Sequence, residues 1–243
     1  SYDYTASRGE YLMALILSKY LGYEFVDAKD IIKFDSQNIF DLELTNTHSK
    51  SALEGLTVKE MVVPGFYGSN PKGEICTFSR GGSDITGAIL ARALKAELYE
   101  NWTDVNGFMM CDPKIVKNPK SIHSLTYKEL RELSYMGAGV LHPEAIFPVS
   151  RAGIPINIRN TFEPDNPGTM IVPSKDYRRN SRIITGIAGK KNFTVINIEK
   201  SMMNSELGFA RRALSVLEEH QISIEHMPTG IDTLGLVIES CNL

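Results

Sequence analysis

The sequence predicts an α/β fold, with helices packed around a mostly parallel β-sheet. Strand-like apolar runs alternate with helical patterns, and short connections containing glycine or proline separate them. A polar and basic stretch then separates this large region from a smaller one. We therefore expect a first domain at 1–173, a linker at 174–185 and a second domain at 186–243.

The first elements of the large domain are predicted to be a helix and a short strand. Apolar residues recur at helical spacing over 10–20, Gly22 ends the pattern, and 23–26 alternates like a strand. The segment 35–50 is polar and weakly patterned, which predicts a loop or a short irregular helix. Residues 61–63 form a short buried strand that stops at a Pro-Gly pair.

The rest of the large domain continues this alternation. A helix of small apolar residues runs through residue 96, and a strand follows at 97–102. The T-x-x-E sequence at 126–129 fits a capping box, in which the first and last residues cap a helix start reciprocally. Another helix, with proline in its first turn, should end at Gly153, and a strand is expected at 155–159.

The small domain shows a strand, a helix and two further strands. These are predicted at 193–198, 208–220, 222–227 and 234–240. One helix on a three-stranded sheet leaves one sheet edge unpaired and supplies little core. We therefore expect an incomplete unit that self-associates.

Composition and charge exclude several classes of function. With 26 basic and 29 acidic residues and a net charge of −3, neither nucleic acid nor an anionic membrane is expected as the main partner. Cys76, Cys111 and Cys241 form no C-x-x-C pair, and the histidines show no metal-ligand spacing, so no zinc site is predicted. No apolar run reaches about 18 residues. A cytoplasmic protein is the expectation.

The segment Arg80-Gly81-Gly82-Ser83-Asp84 has the features of an anion site. Two glycines let the backbone approach a ligand, and the helix that follows presents unpaired N–H groups. The guanidinium of Arg80 can hold a carboxylate or phosphate through two hydrogen bonds. A glycine turn capped by Ser83 or Asp84 is an equally good interpretation. Neither a Walker A loop nor a G-x-G-x-x-G fingerprint is present.

Two further segments carry candidate site residues. Ser7-Arg8-Gly9-Glu10 opens a helix, and Glu10 in its first turn is either a site residue or a favourable charge at a helix N-terminus. The segment 102–107, W-T-D-V-N-G, follows a strand at its carboxyl end, where open parallel sheets bind ligands. A simple turn with an aspartate and a glycine is the alternative.

Together these strings resemble aspartate kinases of the amino-acid-kinase superfamily. The matching strings are S-x-G-E, K-G-x-x-x-T-x-x-R-G-G-S-D, W-T-D-V-x-G-x-x-x-x-D-P, M-G-A-G-V-L-H-P and P-G-T, and they extend over essentially the whole chain. The resemblance implies a carbamate-kinase-like three-layer sandwich followed by a partial, ferredoxin-like ACT domain. It also implies ATP-dependent phosphorylation of L-aspartate to 4-phospho-L-aspartate, the first step towards lysine, threonine, methionine and isoleucine, with ATP and Mg²⁺.

The resemblance assigns a role to each substrate residue. Arg80 would hold the α-carboxylate of aspartate, while Glu10 and Asp84 would surround its ammonium group. Arg80 and Asp84 are also the catalytic candidates, and Gly81, Gly82 and Ser83 complete the substrate site. The side-chain carboxylate of aspartate is already ionised at neutral pH, so the reaction needs no general base.

The resemblance is looser at the nucleotide site. Some members of the family have tyrosine at position 109, arginine at 114 and lysine at 139, where this chain has methionine, lysine and glycine. The lysine at 114 keeps the charge of arginine but loses its bidentate fork. The residues that the family would place at the nucleotide are Thr103, Asp104, Met109, Asp112 and Lys114.

The family's K-F-G-G-[ST]-S segment, whose lysine stabilises the transferring phosphate, has no counterpart in this sequence. We therefore expect this chain to be a fragment that is nearly inactive by itself. His142 could be imagined as a base, but it precedes Pro143, so capping or packing a helix is the preferred interpretation.

The ACT-like region implies feedback by an amino acid, lysine or threonine or both, and a homodimer or higher homo-oligomer paired through this domain. Family position suggests effector contacts at Met202, Ser205, Gly208, Ile224 and Glu225. Core packing for Met202 and Ile224, and a helix cap for Ser205, remain equally good interpretations.

Two other functions stay open. One is a catalytically silent regulatory fragment that senses an amino acid. The other is a different amino-acid kinase, acting on acetylglutamate or glutamate, which the W-T-D-V string disfavours.

Overall fold

Two units make up the chain, Ser1–Ala188 and Gly189–Leu243, and each has its own apolar core. The computed structural model describes residues 2–54, 60–79, 81–137, 139–141, 145–177 and 183–242. Within these ranges no helix combines the length and the apolar character needed to span a bilayer.

Helices and strands alternate along the first unit. Its helices are α1 (Tyr2–Leu21), α2 (Ala28–Ile31), α3 (Leu42–Glu54), α4 (Gly82–Ala93), α5 (Tyr127–Tyr135) and α6 (Ile146–Ala152). Its strands are β1 (Glu24–Phe25), β2 (Met61–Val62), β3 (Tyr67–Ser69), β4 (Ile75–Thr77), β5 (Tyr99–Thr103), β6 (Ser124–Thr126), β7 (Ile156–Asn160) and β8 (Thr169–Val172).

The main sheet of this unit has the strand order β5-β7-β8-β6. Strands β5 and β7 are parallel, as are β6 and β8, whereas β7 and β8 are antiparallel. A separate parallel pair joins β1 to β2, and β3 and β4 form an antiparallel hairpin. The predicted α/β fold with mostly parallel pairing is confirmed. Helix α4 packs against β5 of this sheet and against α6, and its Ile85, Ala88 and Ile89 are buried in the core.

Helix α1 includes residues that the prediction left out. It covers Tyr2–Leu21, so Glu10 lies in the middle of the helix and not in its first turn. The guanidinium of Arg8 stacks on the rings of Tyr4 and Tyr11, at 4.5 and 4.6 Å from their centroids. Such cation–π contacts between residues three and four apart stabilise turns that a search for apolar spacing does not detect. Interpreting Glu10 as a charge at a helix N-terminus is therefore wrong.

The segment 35–50 was also predicted wrongly, because residues 42–54 form the regular helix α3. Its polar sequence concealed how it is anchored. The Thr45 hydroxyl is buried, accepts a hydrogen bond from the Lys33 N–H at 2.9 Å and donates to the Lys33 carbonyl at 3.2 Å. The Thr45 hydroxyl thus satisfies both backbone groups of Lys33 and anchors the helix. The prediction missed this helix because it relied on apolar spacing.

Two local predictions are confirmed. Thr126 and Glu129 form the capping box of α5, with each side chain bonded to the other's backbone N–H. Helix α6 ends at Gly153, whose φ of +70° is the left-handed conformation that favours glycine after a helix.

The end of the predicted linker contacts the first unit. The Thr185 hydroxyl donates to the Glu129 carboxylate at 2.7 Å, and the Ile187 N–H donates to the Met110 carbonyl at 2.7 Å. These residues therefore belong to the first compact unit, which ends at Ala188.

The second unit consists of the antiparallel strands β9 (Phe193–Glu199) and β10 (Thr233–Glu239) with helix α7 (Phe209–Glu219). The strand predicted at 222–227 is not formed, since its pairing is limited to hydrogen bonds around Val237. Gln221 has a positive φ of 56° before this segment, and Pro228 follows it. Its isoleucines at 222 and 224 pack into the core instead, which explains the strand-like alternation.

Candidate active site

Helix α4 begins at a glycine in the left-handed conformation. Its N-cap residue, Gly81, has φ +59° and no side chain with which to close the first turn. The N-cap residue itself therefore provides no capping side chain. A helix start of this kind leaves backbone N–H groups without intrahelical partners, and these can bind an anion.

The start of α4 is packed tightly against residue 66. A Cβ atom on Gly82 would lie 2.8 Å from Phe66 Cα and 2.9 Å from Phe78 Cβ, so only glycine fits there. The Thr86 hydroxyl accepts from the Phe66 N–H at 3.1 Å and donates to the Gly82 carbonyl at 2.8 Å. Phe66 itself has φ +75°, a strained conformation for a bulky residue that this hydrogen bond helps to hold.

Glu10 and the start of α4 line one cavity of about 520 Å³. The cavity brings Glu10 of α1 together with Gly81, Gly82, Ser83 and Asp84, which are the predicted substrate residues, and Phe66 forms another wall. Arg80, the predicted carboxylate ligand, lies outside the described residues, as does His142. The cavity therefore combines two carboxylates with a helix N-terminus, an arrangement able to bind a molecule that carries both charges.

Asp84 is held by strand β5. The Asn101 amide Nδ2 donates to Asp84 Oδ1 at 2.9 Å and to the Tyr99 hydroxyl at 3.0 Å, and that hydroxyl donates to the Asp84 carbonyl at 3.2 Å. Burial raises the pKa of Tyr99 to about 12, the Asn101 hydrogen bond opposes the rise, and the Asp84 charge adds to it. The hydroxyl is therefore neutral at physiological pH.

Sequence reasoning missed Tyr99 and Asn101, although a signal for them exists. Alternation along a strand places Tyr99, Asn101 and Thr103 on the same face of β5. A Cβ on Gly87 would lie 2.7 Å from the Tyr99 hydroxyl oxygen, so the glycine makes room for this ring against α4.

The predicted nucleotide residues lie at the end of β5 and on the segment that follows. The Thr103 hydroxyl donates to the Asp104 carboxylate at 3.2 Å. Met109 forms a bridge with Ser121, and the Asp112 carboxylate accepts from the Lys114 N–H at 2.8 Å. None of the five predicted nucleotide residues is among those that line the 520 Å³ cavity in the described part of the chain.

A larger cavity of about 690 Å³ lies between α1 and the β3–β4 hairpin, and none of the predicted site residues that the structure describes lines it. Its charged groups already have protein partners. The Tyr67 hydroxyl donates to Asp27 at 2.7 Å, and the Thr77 hydroxyl donates to Asp3 at 3.0 Å. Size alone therefore does not make it the better candidate for binding an amino acid.

Residues 1–160 match the sequence model of the amino acid kinase family. The chain belongs to the amino acid kinase family. The chain is 41% identical to Aspartokinase 3 of Bacillus subtilis, over 97% of this chain and 53% of that protein. The chain thus spans about half the length of the curated relatives that it matches.

Solved structures support the same family. A crystal structure of Clostridium acetobutylicum aspartate kinase matches with a TM-score of 0.90 and 57% identity, over 100% of this chain and 55% of that one. E. coli aspartokinase III in complex with aspartate and ADP matches with a TM-score of 0.77 and 27% identity, over 99% and 55%. The same E. coli enzyme in complex with lysine and aspartate matches with a TM-score of 0.74 and 27% identity, over 98% and 55%. The expected amino-acid-kinase fold is confirmed.

The predicted effector residues lie around the start of α7 and on the segment after it. Met202 is 71% exposed, and its carbonyl accepts from the Ser205 hydroxyl at 2.8 Å. Gly208 precedes α7 with φ +75° and lines a cavity of about 270 Å³. Ile224 packs against the core of its unit, and the Glu225 N–H donates to the Val237 carbonyl at 2.9 Å.

Proposed function

We propose that the full gene product transfers the γ-phosphoryl group of ATP to the side-chain carboxylate of L-aspartate, giving 4-phospho-L-aspartate. The observation that supports this most directly is the cavity shared by Glu10 and the start of α4 in a chain of this family. Aspartokinase 3 of Bacillus subtilis and the aspartate kinase of Clostridium acetobutylicum match over 97% and 100% of this chain.

Recognition of aspartate would use opposite charges at its two ends. Glu10 and Asp84 supply carboxylates for the ammonium group, and the N-terminus of α4 supplies N–H groups for the α-carboxylate. The family resemblance adds the Arg80 guanidinium to the same carboxylate. This arrangement leaves the side-chain carboxylate of the substrate free to react.

In the chemical step, an oxygen of that side-chain carboxylate forms a bond to the γ-phosphorus as the bond to the ADP oxygen breaks. The carboxylate is ionised at neutral pH and carries no proton that must be removed. The protein then contributes positioning and charge stabilisation, which are the main terms in phosphoryl transfer.

Nucleotide binding is proposed for Thr103 and Asp104 at the carboxyl end of β5, with Met109, Asp112 and Lys114 on the following segment. Among the described residues no three acidic, histidine or cysteine side chains cluster to form a metal cage. This fits Mg²⁺, which is usually held by one or two carboxylates together with substrate phosphates. Bound in that way, Mg²⁺ would neutralise charge on the phosphoryl group during transfer, and Asp104 and Asp112 are the nearby carboxylates in sequence.

The proposal is tested by incubating the full gene product with ATP and L-aspartate and trapping the acyl phosphate as a hydroxamate. L-glutamate and N-acetyl-L-glutamate serve as competing acceptors. Faster reaction with either of these would replace aspartate kinase by another amino-acid kinase. Arg80→Ala should raise the KM for aspartate far more than that for ATP, and equal KM values in variant and parent would remove Arg80 from the site.

The same assay on residues 1–243 alone tests the alternative, a catalytically silent sensing fragment. We expect almost no turnover by this segment, because the family's phosphate-stabilising lysine has no counterpart in it. Turnover comparable to that of the full gene product would contradict this expectation.

We further infer that the second unit is part of an ACT domain in a cytoplasmic, feedback-regulated enzyme of amino-acid synthesis. Supporting observations are the antiparallel pair with one packed helix, and the lysine complex of E. coli aspartokinase III. Lysine or threonine would then bind near Met202, Ser205, Gly208, Ile224 and Glu225 at a paired interface. Calorimetric titration of each amino acid, combined with sedimentation, tests this, and tight binding by a strict monomer would contradict pairing.

A further inference from the structure

We propose that Asn101 is the positioning residue that fixes Asp84 for recognition of the substrate ammonium group, with Tyr99 as its support. The inference rests on the proposed function, since it concerns how that site recognises aspartate. It concerns residues of β5 that belong to none of the motifs described above.

The orientation of the Asn101 amide follows from its partners. A carboxylate can only accept a hydrogen bond, so the group that lies 2.9 Å from Asp84 Oδ1 must be the NH₂ and not the carbonyl oxygen. The same nitrogen lies 3.0 Å from the Tyr99 hydroxyl oxygen, which leaves each of its two hydrogens with one acceptor. The side chain is only 8% exposed, so water competes little for these hydrogens.

Strand β5 holds both the side chain and the backbone of Asp84. Asn101 bonds to the carboxylate, and the Tyr99 hydroxyl donates to the Asp84 carbonyl at 3.2 Å. These two contacts help to hold Asp84 in place in the wall of the cavity that it shares with Glu10.

This anchoring predicts how substrate binding responds to Asn101. Asn101 bonds to Asp84 of α4 and precedes Thr103 by two residues on β5. The same strand therefore contacts the acid proposed to bind the ammonium group and carries the first of the proposed nucleotide residues. If Asn101 acts through Asp84, its loss weakens aspartate and spares ATP. If it only stabilises the contact between α4 and β5, both substrates and the folding stability are affected together.

The experiment measures steady-state kinetics of Asn101→Leu in the full gene product. Loss of a hydrogen bond to a charged group should raise the KM for aspartate roughly 10- to 100-fold. The kcat and the KM for ATP should stay within about twofold, because the ammonium contact is present in the ground state and the transition state alike. An unchanged aspartate KM, or an equal increase for ATP, overturns the inference.

Two controls separate positioning from stability. Succinate lacks the ammonium group, so its inhibition constant should be the same in Asn101→Leu and in the unsubstituted protein; a parallel loss contradicts a role through Asp84. Asn70→Leu removes an amide of similar exposure, 7%, from the turn between β3 and β4. It should lower the melting temperature without raising the aspartate KM.

Two further measurements complete the test. In an Asp84→Asn background, Asn101→Leu should add little further effect, as a double-mutant cycle of interacting residues requires, and full additivity contradicts the coupling. Tyr99→Phe, which keeps the ring, should raise the aspartate KM by a smaller factor. This variant replaces Asn101→Leu as the test if Asn101→Leu does not fold. Aspartate turnover by the unsubstituted protein tests the proposed function separately, and its absence would overturn both proposals.

Discussion

Helices α4 and α7 begin in the same way but in different surroundings. Each follows a glycine in the left-handed conformation, Gly81 with φ +59° and Gly208 with φ +75°, and neither start is closed by a capping side chain. The first turn of α4 is built into the core, because Gly82 and Thr86 are buried. Among the described residues of α7, only Leu217 is buried.

The charged groups around the two helix starts also differ, since the carboxylates line a cavity at one and are paired with basic side chains at the other. At α4, the carboxylates of Glu10 and Asp84 line the same cavity. At α7, the Glu206 carboxylate is paired with both Lys200 and Arg212. The comparison teaches that a helix start offers only a generic anion site, and that the surrounding walls decide what it binds and how rigidly.

The largest effect is expected for the acids of the α4 cavity. Glu10→Gln or Asp84→Asn leaves the substrate ammonium group short of a partner, and the loss of a hydrogen bond to a charged group typically costs about 1.5–3 kcal/mol. We expect aspartate kcat/KM to fall by at least tenfold with ATP binding preserved. Equal weakening of ATP and aspartate, measured by kinetics in both substrates, would show that the two acids do not form a substrate site.

The two helix starts should differ next in their tolerance of a methyl group. Gly82→Ala would place Cβ within 2.9 Å of Phe66 and Phe78 and should destabilise the first unit by about 1–3 kcal/mol. Gly208→Ala has nothing closer than 3.9 Å and meets only left-handed strain, about 1 kcal/mol. Urea unfolding of both variants measures this, and a larger loss for Gly208→Ala would invert the comparison.

Alkaline pH should destabilise the first unit through its buried tyrosines. Burial raises the pKa of Tyr99 to about 12, from 10.0. The stability this provides is complete below pH 10.0 and is lost as pH rises towards 12, because the unfolded chain releases the proton first. All ten tyrosines precede residue 178, so the second unit has none.

The measurement is urea unfolding at increasing pH, followed by the fluorescence of Trp102, the single tryptophan. Tyr99→Phe should make the pH dependence less steep without abolishing it, because burial also raises the pKa of Tyr127 to about 12 and that of Tyr67 well above its ordinary value. An equally steep profile in this variant would exclude a contribution from Tyr99.

The smallest effect is expected at the ion pairs before α7. The hydrogen bond from Lys200 lowers the pKa of Glu206, slight desolvation opposes this, and Arg212 adds to the lowering. The resulting stability is present above pH 4.5 and is lost as pH falls below it. Because such exposed pairs contribute little, Glu206→Gln should lower the melting temperature only slightly, and less in high salt. A large, salt-independent change would contradict this.

The sequence predicted those parts of the molecule that follow from local rules. The capping box of Thr126 and Glu129, the end of α6 at Gly153 and the convergence of Glu10 with Asp84 all agree with the structure. The first two depend on neighbours within a few residues. The third came from motif resemblance, which carries information about distant parts of the chain.

What escaped prediction depends on partners that are distant in the sequence. Helix α3 is anchored by Thr45 bonding to Lys33, and the supposed strand at 222–227 alternates because its isoleucines pack into a core. Asn101 is conspicuous only once α4 is known to lie beside β5. Periodicity in one segment cannot reveal which other segment satisfies its polar groups.

The Thr86 hydroxyl joins Phe66 to the first turn of α4, and this makes the Phe66 amide a reporter of the cavity. Its proton can exchange with solvent only when that hydrogen bond opens, so its exchange rate measures how often the wall separates from the helix. A ligand that requires the closed wall would slow this exchange in proportion to its occupancy. A single backbone proton would thus follow substrate binding without any chemical turnover.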